Sequence, residues 1–177
     1  MTIQIGRVQS RLELEQILSL QKKNIPKALS IKEIEQEGFL TVTHSLDLLD
    51  RMNSRCPHII AKENDEVIGY ALCMHPKFNN EIDILKPMFE EINSVLAPGE
   101  KFVVMGQVCI QKEYRKKGVF QKLYKKMQDV LKTNYNCIIT EVDALNKRSL
   151  NAHFAVGFIE LKTYNYNGRK WCLLALK

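Results

Sequence analysis

Arg115, Lys116 and Lys117 stand directly before Gly118 and Val119, where an apolar run at residues 102–110 gives way to a helical repeat at residues 118–132. A buried strand, a short basic turn with a glycine and a helix start, in that order, gather backbone N–H groups at the positive end of a helix dipole. That arrangement can hold a phosphorylated ligand. Cations at a helix start oppose the dipole by roughly 0.3 to 1 kcal/mol each. Helix formation alone would favour Asp or Glu there, and a bound polyanion reverses the sign of the cost. The same residues also fit a solvated basic turn, because charge runs are commonly surface features.

The elements that must position this turn are readable from periodicity. Val119, Phe120, Leu123, Tyr124, Met127, Val130 and Leu131 recur at helical spacing, with Lys122, Lys125 and Lys126 on the polar face. Ahead of the turn, residues 3–8 read as a strand and a helix begins near Ser10. Residues 24–57 are less regular: Pro26 interrupts, residues 31–37 suit a helical turn or two, and Thr43 or Ser45 can cap a helix through Leu46, Leu49 and Met52. Residues 59–61 and 67–74 flank a polar turn as an antiparallel hairpin, and residues 78–99 read as an acidic helical insertion, broken at Pro87 and ended by Pro98-Gly99. After the basic helix come a strand at 137–142, a short helix capped by Asn146 and closed at Gly157, and a hairpin of residues 159–166 and 170–176 around Asn167-Gly168. This order describes an α/β chain, a mixed sheet with helices packed on it.

With 177 residues, 45% of them hydrophobic, the chain suits one domain over residues 1–177. A net charge of +6 from 26 basic and 20 acidic residues favours anionic ligands but falls short of the bias of a dedicated nucleic-acid binder. Cys56, Cys73, Cys109, Cys137 and Cys172 are scattered and mostly in apolar stretches, which fits reduced thiols and a cytoplasmic location. No C-x-x-C pair and no H-x-x-x-H spacing among His44, His58, His75 and His153 supports a metal site. No signal-like or membrane-spanning apolar stretch occurs, so no membrane partner is expected.

Two stretches carry a family resemblance. VCIQKEYRKKGVFQKLY resembles the acetyl-coenzyme A signature of the GNAT N-acetyltransferases, R/Q-x-x-G-x-G/A after a hydrophobic strand, and EVDALNKRSLNAHFAVGFIEL resembles their next strand and a helix ending in Gly-Phe. The resemblance implies a mostly antiparallel, GNAT-type mixed sheet of about seven strands flanked by helices, with a splayed central strand pair. It also implies acetyl-CoA as cosubstrate. Backbone amides around Lys116, Lys117, Gly118, Val119 and Phe120 would hold the pyrophosphate, with Arg115 also in the cofactor-binding set. The strand edge at Val108, Cys109 and Ile110 would pair with the pantetheine amides as an added strand does. Asn146, Ser149 and Asn151 would line the cofactor's other side. Phe120 departs from the family's usual second Gly or Ala.

The implied chemistry is acetyl transfer to a primary amine by direct attack in a ternary complex, which needs a base for the ammonium proton and an acid for the leaving thiolate. Glu141 and Asp143 lie two apart on one strand and share a face, so they can gather a cationic amine. Glu141 is the expected base, and either carboxylate also reads as a strand-end surface group. His153 occupies the position four before the glycine of Gly-Phe, where many relatives carry a tyrosine acid, and it reads equally as a half-packed helix histidine. Cys109 suits the core better than a nucleophile's role. The acceptor would be a small molecule or peptide shaped by residues 24–57 and 75–100, where Glu81, Asp83, Glu90 and Glu91 could attract a cation or simply solvate a helix. A homodimer through the C-terminal hairpin is compatible with the family. The competing readings are a non-catalytic acyl-CoA-binding regulatory module and a nucleic-acid binder using the basic helix, which lacks a recognition motif.

Overall fold

The computed structural model describes residues 2–25, 40 and 42–177. Seven strands form one sheet in the order β1-β2-β3-β4-β5-β7-β6. They span Gln4–Arg7 (β1), Ile59–Glu63 (β2), Glu66–Met74 (β3), Phe102–Ile110 (β4), Cys137–Asp143 (β5), Ile159–Tyr166 (β6) and Arg169–Leu176 (β7). Among the described residues five α-helices flank it: Arg11–Lys23 (α1), Leu46–Arg55 (α2), Lys86–Val95 (α3), Val119–Leu131 (α4) and Lys147–Val156 (α5). The sheet is mostly antiparallel, with β4 and β5 parallel. The helical turns read at residues 31–37 lie outside the described residues. Among the described residues no helix is long and apolar enough to cross a membrane.

The chain divides into two compact units, residues 1–73 with 106–129 and residues 74–105 with 130–177. In the first unit, α1 starts in a capping box. Ser10 Oγ accepts from the Glu13 N–H at 3.3 Å, and Glu13 Oε2 accepts from the Ser10 N–H at 3.2 Å. Its apolar stripe, Leu14, Ile17 and Leu20, packs with Leu49 of α2 and with Ile60, Tyr70 and Leu72 of the β2–β3 hairpin. Asn64 and Asp65 turn that hairpin with φ of 49° and 65°, the double left-handed bend of a type I′ turn. Ser45 caps α2, accepting from the Leu48 N–H at 3.2 Å.

His58 is fully buried in this unit. Its Nε2–H donates to the Leu49 carbonyl at 3.2 Å, and its Nδ1 accepts from the Cys73 N–H at 3.1 Å. Burial lowers its pKa to about 3. The folded-state value lies below the unfolded one, so the residue's contribution to stability is complete above pH 6.5. It is lost as pH falls below that, by about 1.4 kcal/mol per unit. The expected result in a long-range ¹H–¹⁵N spectrum at pH 5 is a neutral His58 imidazole protonated on Nε2. An imidazolium signature there would contradict the buried, doubly bonded ring.

In the second unit, α3 begins at Lys86 with Pro87 in its first turn. The expectation that Pro87 would break a longer helix is corrected: a first-turn proline has no intrahelical N–H bond to lose, so it starts the helix instead. The residues before it form only short 3₁₀ turns, Pro76–Phe78 and Asp83–Leu85. The β4–β5 ladder consists of Phe102↔Cys137, Val103↔Ile138 and Val104↔Ile139. Just past its last pair, the Thr140 hydroxyl donates to the Met105 carbonyl at 3.0 Å, satisfying a buried acceptor by a side chain. Asn167 and Gly168, with φ of 48° and 70°, close the β6–β7 hairpin as expected from the pair Asn-Gly.

Candidate functional site

In the first unit β4 ends at Ile110, and the chain passes through a 3₁₀ turn at Lys112–Tyr114 into α4. Three ties hold this turn. The Gln111 N–H donates to the Ile68 carbonyl at 2.8 Å. The Tyr114 hydroxyl donates to the Glu63 carboxylate of β2 at 2.6 Å. Arg115 donates from Nε to the Ile110 carbonyl at 2.9 Å and from Nη2 to Asn24 Oδ1 at the end of α1 at 3.1 Å. The Arg115 side chain therefore braces the turn from within, and what it brings toward a ligand is its backbone.

Lys116 and Gly118 have φ of 61° and 74°. Left-handed residues at alternate positions turn successive N–H groups toward one concave side, a nest for an anion. A Cβ at Gly118 would meet nothing within 4 Å. Glycine is needed there for its φ and leaves open ground over the backbone. The Lys122 N–H bonds the Gly118 carbonyl at 3.2 Å, closing the first turn of α4. Lys116 and Lys117 are exposed, with the Lys117 ammonium 5.2 Å over the Tyr114 ring. Val119 is buried, and Phe120 lies half-buried with its ring 5.0 Å from that of Tyr124. Cys109 is buried between half-buried Val108 and Ile110. Burial pushes its thiol up to about 11, so it stays protonated and is a poor nucleophile.

In the second unit β5 presents Glu141 and Asp143 on one face. Glu141 is half-buried and accepts a hydrogen bond from the Tyr164 hydroxyl of β6. Burial raises its pKa to about 7, against a smaller downward pull from the Tyr164 bond. Asp143 is held by the structure: Oδ1 accepts from the Leu145 N–H at 2.9 Å, and Oδ2 lies 3.3 Å from Arg169. His153, 2% exposed, places Nδ1 2.7 Å from the Ser149 carbonyl. A carbonyl only accepts, so Nδ1 carries the proton, and burial lowers the pKa. A neutral imidazole so arranged carries its proton on Nδ1, against the Ser149 carbonyl. Asn146 caps α5, accepting from the Ser149 N–H at 3.0 Å, while Ser149 is half-buried and Asn151 exposed. Of the acidic residues singled out in the 75–100 segment, Asp83 pairs with Lys86 at 2.6 Å and Glu91 with Lys162 at 2.5 Å.

The sequence matches the profile of the acetyltransferase (GNAT) family over residues 18–158, a span that includes the basic turn, β5 and α5. The chain belongs to the GNAT acetyltransferase family. No curated protein matches by sequence. Solved GNAT-fold structures do match in shape. The yncA protein of Salmonella typhimurium, solved with its cofactor acetyl-CoA, has 14% identity and a TM-score of 0.68, covering 100% of this chain and 94% of that one. Arabidopsis thaliana Naa50, solved with a bisubstrate analogue joining CoA to an acetylated peptide, has 15% identity and a TM-score of 0.66, covering 100% and 99%. The ribosomal-protein-S18-alanine N-acetyltransferase of Escherichia coli has 11% identity and a TM-score of 0.64, covering 99% and 93%.

Within this GNAT chain, sequence reasoning missed Glu63, Asn24 and Tyr164. Tyr114 and Glu63 are separated by 51 positions, Arg115 and Asn24 by 91, and Tyr164 and Glu141 by 23. Nothing local marks such partners, because each pair is set by the tertiary packing of separate elements.

Proposed function

We propose that this protein transfers the acetyl group of acetyl-CoA to a primary amine by direct attack, with Glu141 as the base. The observation that carries the reading is the turn from residue 115 to 120: two left-handed residues, an open glycine and a helix start suited to a pyrophosphate. Lys116 and Lys117 add positive charge at its rim, and the strand edge at Val108, Cys109 and Ile110 suits amide pairing with an extended pantetheine arm. Bound acetyl-CoA supplies an activated acyl thioester; the chain's own part is to hold it, to orient the amine and to take the ammonium proton. A carboxylate whose pKa is about 7 is poised for that last step near neutral pH.

The acceptor we favour is an α-amino group or another primary amine on a peptide or small molecule, in keeping with the peptide-directed neighbours. Asn146, Ser149 and Asn151 remain the cofactor's other flank in this proposal. Five buried cysteines, none in a disulfide, suit a reducing cytoplasm. Calorimetric titration with acetyl-CoA and CoA, followed by a thiol-release screen of peptide N-termini, lysine peptides and polyamines, tests the proposal. Micromolar binding with amine-dependent thiol release is the expected result. Binding without any release would leave the regulatory-module reading, and no binding at low salt would defeat the cofactor assignment.

A further inference from the structure

Glu141 sits at the crossing of two residue rows in the second unit. Across β5, β7 and β6 the pairs run Glu141↔Leu173 with Lys162↔Leu173, and then Asp143↔Trp171 with Tyr164↔Trp171. Side chains directly opposite one another share a face, and long side chains also reach diagonal neighbours. Tyr164 leans back one pair and donates its hydroxyl to Glu141 Oε2. The other charged groups on this side are matched elsewhere. Lys162 pairs with Glu91 of α3 and also donates to Ser94 Oγ at 3.2 Å, and Asp143 pairs with Arg169 of β7. Directly beside Glu141 on β7 stands Leu173, which is apolar and fully buried.

We propose that Tyr164 is a positioning residue for the base: its hydroxyl bonds one oxygen of Glu141 and fixes the carboxylate plane, leaving Oε1 as the proton-accepting oxygen. This rests on the proposed role of Glu141. A hydroxyl donor stabilises the ionised carboxylate, so it also keeps the half-buried acid from remaining protonated through neutral pH. Phenylalanine would preserve the ring and remove only that donor.

The test is ¹³C titration of the Glu141 carboxyl in the cofactor-free protein, assigned by difference from Glu141→Gln, set beside the pH profile of kcat/KM. In Tyr164→Phe the carboxyl midpoint is expected to rise by at least about half a unit, and the acidic limb to move with it. Activity on that limb would then fall about threefold or more, with less loss on the alkaline plateau. A purely structural role would lower the whole profile without moving the limb. An unmoved carboxyl midpoint overturns the role of Tyr164 alone. A midpoint that moves while the limb stays overturns Glu141 as the base, and the positioning role with it.

Discussion

Replacing Glu141 by glutamine is expected to lower kcat/KM by about 10² to 10⁴ and to abolish the acidic limb of its pH profile. Glutamine keeps the shape and can still accept from Tyr164, but it cannot take a proton. In the wild-type enzyme the limb should titrate near the Glu141 pKa of about 7. Stability should move the opposite way. The folded-state pKa lies above the unfolded value of 4.5, so the folded protein holds this proton more tightly. Stability is therefore lost as pH rises between those values, on the order of 2 kcal/mol after allowing for partial exposure. Glu141→Gln escapes that loss and should melt higher than wild type at pH 8, an exchange of stability for function common at active sites. Thermal unfolding and steady-state rates on the same two proteins check both halves. A variant that is active with an intact limb removes Glu141 from the chemistry.

The second large effect is expected at Gly118. Changing it to aspartate places a carboxylate over the open concave side of the turn. Repulsion of a pyrophosphate at about 4 Å in a partly desolvated site, on the order of 4 kcal/mol per charge pair, predicts a loss of acetyl-CoA affinity of 10²-fold or more. The fold should bear the substitution, because no atom lies within 4 Å of a Cβ there. The cost is the φ of 74°, about 1 kcal/mol for a non-glycine residue. Gly118→Ala carries the same strain without the charge and should bind less weakly than the aspartate variant. Calorimetry on the three proteins separates strain from repulsion, and equal affinities throughout would mean that the pyrophosphate is held elsewhere.

Much of this molecule was legible before folding. Ser10, Ser45 and Asn146 marked helix starts because an N-cap satisfies backbone donors a few residues away, and Asn167-Gly168 marked a hairpin because both residues tolerate positive φ. Pro87 was misread, since position within a helix decides whether a missing N–H matters and the sequence does not show where the first turn falls. The basic turn could be read as a candidate phosphate site because strand, glycine and helix start are consecutive. That the Arg115 guanidinium meets the Ile110 carbonyl and Asn24 was not legible there.

The division follows range. Local periodicity, caps, turn residues and the contiguous phosphate motif act within a few residues, so the sequence by itself determined the elements, the family and the candidate anion site. Strand order and burial act between residues far apart in the chain. They alone decided that Tyr164 meets Glu141 and that Arg169 takes up Asp143. A carboxyl pKa belongs to its surroundings. Only the folded sheet, by withdrawing Glu141 from water, raises the pKa of an ordinary glutamate to about 7, the value the proposed base requires.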